Sequence, residues 1–214
     1  MNHPLNTETP RALAAGLLVA TALLATACAS QPDRYYTLAS PAAAARVAAT
    51  GATPVFIELA PVAMPDRLAR PQMLVSQTGG GSAEVKLLEK HRWTSSFENE
   101  LRDALASGIA SRLGAVDVTR GGRQPSQPAW RIAVQLTQFD AVENSRVDAA
   151  LSWTVRRSDA DRNAACTWSG SMAVGTGIDA LAQGAQRATA AAAEAMARHI
   201  AALQADPAAG CPAV

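Results

Sequence analysis

No stretch of this 214-residue chain holds the ~20 consecutive apolar residues that a membrane-spanning helix requires. An excess of one charge is also missing. The 19 Lys+Arg and 18 Asp+Glu leave a net +1, so there is no field to attract a nucleic acid. Lysine is confined to Lys86 and Lys90, and cysteine to three positions. His91 and His199 have no Cys or carboxylate at metal-ligand spacing. Ser95 and Ser96 lie near His91, but no G-x-S-x-G elbow surrounds them, and capping of a helix accounts for Ser95. The GGGS run at 79–82 lacks the Lys-Ser/Thr and the helix start of a phosphate loop. These motifs leave no catalytic, metal-ligating or cofactor-binding residue to name.

What is present begins at the N-terminus. Residues 1–11 carry one firm positive charge, Arg11, and residues 12–25 (ALAAGLLVATALLA) carry none. A short charged region, an apolar core and then small residues make a secretory signal. Ala25-Thr26-Ala27 precede Cys28 here, a pattern that resembles the lipobox of bacterial lipoproteins, with Ala at −3 where Leu is usual. The expectation is cleavage before Cys28 and lipid attachment at Cys28, where several acyl chains at ~0.8 kcal/mol per CH₂ would hold the protein on a membrane. Ala29 and Ser30 follow, not the Asp that retains many such proteins at the inner membrane, which favours the outer membrane. Cleavage removes Glu8 and Arg11 together, so the net charge is unchanged. The organisation expected is a signal at 1–27, a lipidated tether at 28–33, one α+β domain at 34–206 and a C-terminal tail at 207–214. Cys166 and Cys211 then remain, in keeping with an oxidising compartment.

Further along, RYYTLAS (34–40) is β-prone, and SPAAAARVAATGAT (40–53) reads as a low-complexity connection. VFIELAPV (55–62) alternates, with Val55, Ile57 and Leu59 on one face and Phe56 and Glu58 on the other. MLVSQ (73–77) and EVKLLEK (84–90) flank a glycine-rich hairpin loop. Within 92–114 the spacing predicts a helix: Phe97, Leu101, Leu105, Ile109 and Leu113 recur every four residues, Ser95 and Glu98 form a capping box, and Gly114 ends it. AVDVT (115–119) is a short strand. Residues 130–140, 147–156 and 165–174 then alternate as three strands of an antiparallel meander, and 178–204 is a long alanine-rich helix. The fold class expected is α+β, a mainly antiparallel sheet with two long helices packed on one face. A strand of about eleven residues and a helix of about 27 span roughly 36 and 40 Å, so an antiparallel helix would bring Cys211 back to Cys166. That predicts a Cys166–Cys211 disulfide over two free thiols.

The lipoprotein Cys28, YYTL at 35–38 and the pattern Val62, Pro65, Leu68, Arg70, Pro71 and Gln72 ahead of a strand belong together. With Arg92-Trp93 and Trp130, they resemble the auxiliary lipoproteins of ABC-type transporters, the family of paraquat-inducible protein C. The resemblance covers nearly the whole chain after the signal. It implies an outer-membrane lipoprotein without enzymatic activity or cofactor, which faces the periplasm and works with an MCE-domain protein and its inner-membrane components to move phospholipid or similar cargo. An assembly lipoprotein serving a secretin, pilus or outer-membrane machine is the alternative, and a periplasmic hydrolase a weak third. PDRLARPQ (65–72) reads either as a rigid strand-to-strand crossover or as a partner contact through Arg67 and Arg70, which could also pair with Asp66. Phe56 and Phe139 fall on the otherwise polar faces of their strands and are further interface candidates. Both a monomer and a homo-oligomeric ring around a tunnel-forming partner fit this reading.

Overall fold

A computed structural model describes residues 32–39, 54–77, 84–124, 126–160 and 163–212 of the chain. All of these except Pro32 belong to one compact unit, Asp33–Val214. The signal, Cys28, the 40–53 connection and the 78–83 loop lie outside the described residues.

Two long hairpin strands organise the sheet. β6 (Trp130–Val142) and β7 (Arg146–Arg157) pair antiparallel along their whole length. Asn144, at φ 58°, makes the turn between them, since Asn tolerates the left-handed region better than most residues. Its side-chain oxygen accepts from the Gly177 backbone N–H at 2.9 Å, which ties this turn to the start of the second helix. β8 (Asn163–Ala173) continues the antiparallel meander on β7.

The other side of β6 is different from the expectation. β2 (Phe56–Leu59) runs parallel to the start of β6, and β3 (Gln72–Ser76) meets its far end, also parallel, at Ser76 and Val142. β5 (Val116–Asp117) joins β2 in parallel, and β1 (Arg34–Tyr36) joins β4 (Val85–Trp93) in parallel. Only β3 and β4 form an antiparallel hairpin there. The eight-stranded sheet is therefore mixed: antiparallel through β3–β4 and the β6–β7–β8 meander, and parallel where β1, β2, β3 and β5 join their other neighbours. The reason is connectivity. β1 and β2 return through long segments, which allow parallel pairing, whereas a tight turn enforces antiparallel pairing.

Helix α1 is Phe97–Leu113 and helix α2 is Ile178–Ala205. The helix expected from residue 92 starts later, because Trp93 still belongs to β4, where it pairs with Tyr36 and is 5% exposed. The N-cap is Ser96, whose Oγ accepts from the Asn99 backbone N–H at 3.3 Å, so the Ser95–Glu98 capping box does not form. Gly114 closes α1 at φ 63°, a conformation that costs glycine nothing. Phe97, Leu101, Leu105 and Ile109 are buried as the period requires. The helices cross closely: a Cβ on Gly108 of α1 would stand 2.9 Å from the Ala193 Cβ of α2. The alanine stripe of α2 (Ala185, Ala188, Ala192, Ala193) is fully buried and permits this approach.

A one-residue insertion corrects the placing of Phe139. The β6–β7 register shifts between Leu136 and Gln138, so Thr137 is an extra, bulged residue. Before the bulge Ile132, Val134 and Leu136 face the core; after it the parity flips, and Phe139 and Ala141 do. Phe139 is thus half-buried against the core, not on a polar face.

Candidate interaction surface and its supports

The PDRLARPQ segment forms a tight corner between β2 and β3. Pro65, at φ −61°, caps a single 3-10 turn over Asp66–Leu68. Leu68 N–H donates to the Pro65 carbonyl at 2.9 Å, and Ala69 N–H to that of Asp66 at 3.1 Å. Proline at this position presets φ where its missing N–H is not needed. The turn points Leu68 inward, 6% exposed, and leaves Arg67 and Arg70 exposed. Two carbonyls then fasten the corner to its neighbours. Pro71 accepts from Trp93 N–H at 2.7 Å, and Arg70 accepts from Phe97 N–H, the first residue of α1, at 3.4 Å. The corner therefore holds the junction of β4 and α1. Among the described residues no ion pair joins Asp66 to Arg67 or Arg70.

Beneath the corner lies an apolar cavity of about 20 Å³, roughly the room one water needs. Leu68, Met73, Trp93, Phe97, Phe139 and Leu181 line it. The rings interlock, with centroids 5.4 Å apart for Trp93–Phe97 and 4.7 Å for Phe97–Phe139. The structure thus brings Phe139 under the same corner that displays Arg67 and Arg70. Phe56 is elsewhere, lining an open depression with Pro54, Pro128 and Trp130.

Strand β1, the first described element, is pinned by two polar clusters that sequence reading did not find. Tyr36 donates its hydroxyl proton to Asp179 Oδ1 at 2.7 Å, and Arg34 Nη2 donates to Asp179 Oδ2 at 2.8 Å. With that proton committed, the 2.9 Å contact between Tyr36 Oη and His91 Nδ1 makes His91 the donor. Burial and the Asp179 hydrogen bond push the Tyr36 phenol up to about 12. The bond from Tyr36, aided by Arg34, holds Asp179 below its ordinary value. His91 is thus a structural partner here, stacked on Tyr36 at 5.9 Å.

The second cluster centres on Glu100, 8% exposed in the first turn of α1. Its carboxylate accepts from Thr37 Oγ1 and Leu38 N–H, each at 3.0 Å, and from the hydroxyls of Thr94 and Ser95. A buried carboxylate is tolerated when its lone pairs are satisfied in this way. From α2, Gln186 Nε2 donates to the Thr37 carbonyl at 2.8 Å. Segment 34–38 is therefore held by β4, α1 and α2 at once.

A third cluster lies beneath β8. Cys166 and Cys211 are bonded, with Cα atoms 5.6 Å apart. His199 is 1% exposed, accepts from Trp153 Nε1–H at 3.1 Å through Nδ1, and places Nε2 3.5 Å from Cys166 Sγ. Burial lowers the His199 pKa, which keeps the ring neutral. Among the described residues no three His, Cys, Asp or Glu side chains gather as a metal site, and no helix is long and apolar enough to cross a membrane.

A family model described as "ABC-type transport auxiliary lipoprotein component" matches residues 36–197. Two solved structures share the fold. One, titled an uncharacterized protein, is 17% identical at TM-score 0.63 and covers 79% of this chain and 99% of its own. The other, from Xanthomonas campestris, is 15% identical at TM-score 0.56 and covers 82% and 99%. No curated protein matches the chain.

Proposed function

As the chain belongs to the ABC-type transport auxiliary lipoprotein family, we propose that it is the non-catalytic outer-membrane subunit of an MCE-type intermembrane lipid transport system. The observation that carries this reading is the family match itself, which runs from the last residue of β1 through most of α2. Cleavage of 1–27 and acylation of Cys28 place the protein on the periplasmic face of the outer membrane, and residues 28–33 are the tether. The polar pins on β1 hold this strand firmly to β4, α1 and α2. Energy for transport comes from the ATPase of the inner-membrane partner.

The docking surface for the MCE-domain partner is the basic corner. Arg67 and Arg70 are exposed and offer five-donor guanidinium groups without a side-chain partner among the described residues, and arginine is enriched at interfaces. The interlocked rings below, Phe139 included, hold the corner rigid, which lowers the ordering cost of docking. Phe56, on a separate depression, is a second contact region.

Deletion of the protein tests this function. A transport subunit predicts a general envelope permeability and lipid-balance defect that the intact gene product restores and a Cys28→Ser variant does not. Loss of a single secretin, pilus or assembly complex with normal lipid balance would favour an assembly role and overturn the transport reading.

A further inference from the structure

The two sulfurs of the Cys166–Cys211 bond sit in opposite surroundings. Cys166 is 5% exposed and faces a neutral imidazole, whereas Cys211 is exposed beyond the end of α2. Trp153 Nε1–H occupies Nδ1 of His199, so the ring proton must reside on Nε2, the atom 3.5 Å from Cys166 Sγ. A fixed N–H therefore points at one sulfur only, and the other is the one an external thiol can reach.

We propose that Cys166, Cys211 and His199 form a directional thiol–disulfide exchange site whose co-reactant is a small thiol or the dithiol of a reducing protein. An incoming thiolate attacks Cys211 Sγ, a new S–S bond forms there, and the Cys166–Cys211 bond breaks. The electron pair leaves on Cys166 as a thiolate, which receives the His199 Nε2–H hydrogen bond; thiolates leave faster when so stabilised. A second thiol of a dithiol then releases Cys211 as a thiolate and carries away the oxidised disulfide. The outcome is removal of the covalent tie between β8 and the segment after α2. This site does not depend on the transport role.

The test uses the full lipidated protein in detergent, treated with reduced glutathione, quenched in acid, alkylated with N-ethylmaleimide and mapped by peptide mass spectrometry. The expected adduct carries glutathione on Cys211 and maleimide on Cys166, at least about tenfold over the reverse arrangement, because attack follows access. A glutathione adduct mainly on Cys166, an even split, or no exchange would overturn the proposal. His199→Phe is expected to slow exchange about tenfold and His199→Gln, which keeps an N–H, by less. Equal rates in folded variants would remove His199 from the site. Should both misfold, Trp153→Phe frees the tautomer and should slow exchange about threefold; an unchanged rate would contradict the proposed role of Nε2–H.

Discussion

Tyr36 and Asp179, 143 positions apart, share a 2.7 Å hydrogen bond that locks the first strand to the first turn of the last helix. Their charges are tuned in a way that stability can report. The Tyr36 phenol is raised from 10.0 to about 12. A raised value means the folded state holds the proton more tightly, so this stability is full below pH 10 and is lost as pH rises toward about 12. Asp179 is lowered from 3.8, so its contribution is full above that value and fades in more acid solution. Denaturant midpoints across both windows should therefore fall at each end, and Tyr36→Phe should flatten the alkaline fall while costing about 1 kcal/mol at neutral pH. An unchanged alkaline profile in Tyr36→Phe would show that the bond does not form.

Glu100 collects a backbone N–H and three hydroxyls in a buried site, so removing its carboxylate strands several donors. Glu100→Ala should destabilise the protein by roughly 2–4 kcal/mol in urea unfolding, and Glu100→Gln by less. Hydrogen exchange of the Leu38 amide should accelerate in both variants.

Gly184 leaves no room for a side chain, since its Cβ would lie 2.4 Å from Val174 Cγ1 and 3.1 Å from Val147 Cγ2. Gly184→Ala raises helix propensity yet should lower stability by about 1–3 kcal/mol, because overpacking outweighs the ~1 kcal/mol propensity gain. Higher stability in calorimetry would mean that α2 sits farther from β7 than described.

The Cys166–Cys211 bond closes a separation of 45 residues. The chain-entropy model gives it about 3–4 kcal/mol, so Cys211→Ser should lower the unfolding free energy by that order under oxidising conditions and by little in reductant.

Local patterns in the sequence carried the meander and both helices, because alternation in 147–155 and four-residue spacing from Phe97 to Ile109 follow directly from burial of one face. What they hid was relational. Thr137 gives no signal of being bulged, yet it turns Phe139 inward. Ser95 and Ser96 are chemically alike, and only the length of β4, set by the pairing of Trp93 with Tyr36, selects Ser96 as the cap. Parallel pairing of β1 and β2 depends on long connections that have no local signature. The bonds Tyr36–Asp179, Thr37–Glu100 and Leu38–Glu100 join residues 62 or more apart, so no window of sequence displays them. The corner itself was legible, as its prolines dictate a turn and Leu68 is its one large apolar residue.

The proposed transport role depends most on docking to an MCE-domain partner through Arg67 and Arg70. The measurement is gentle detergent extraction of the tagged, lipidated protein from its own envelope, with mass spectrometry of the proteins that accompany it. The account predicts recovery of an MCE-domain protein with the wild-type chain and at least about tenfold less with the Arg67→Ala/Arg70→Ala variant, which should stay folded because both side chains are exposed. Recovery of a secretin or assembly machine in place of any MCE-domain protein, or undiminished recovery with the variant, would contradict it.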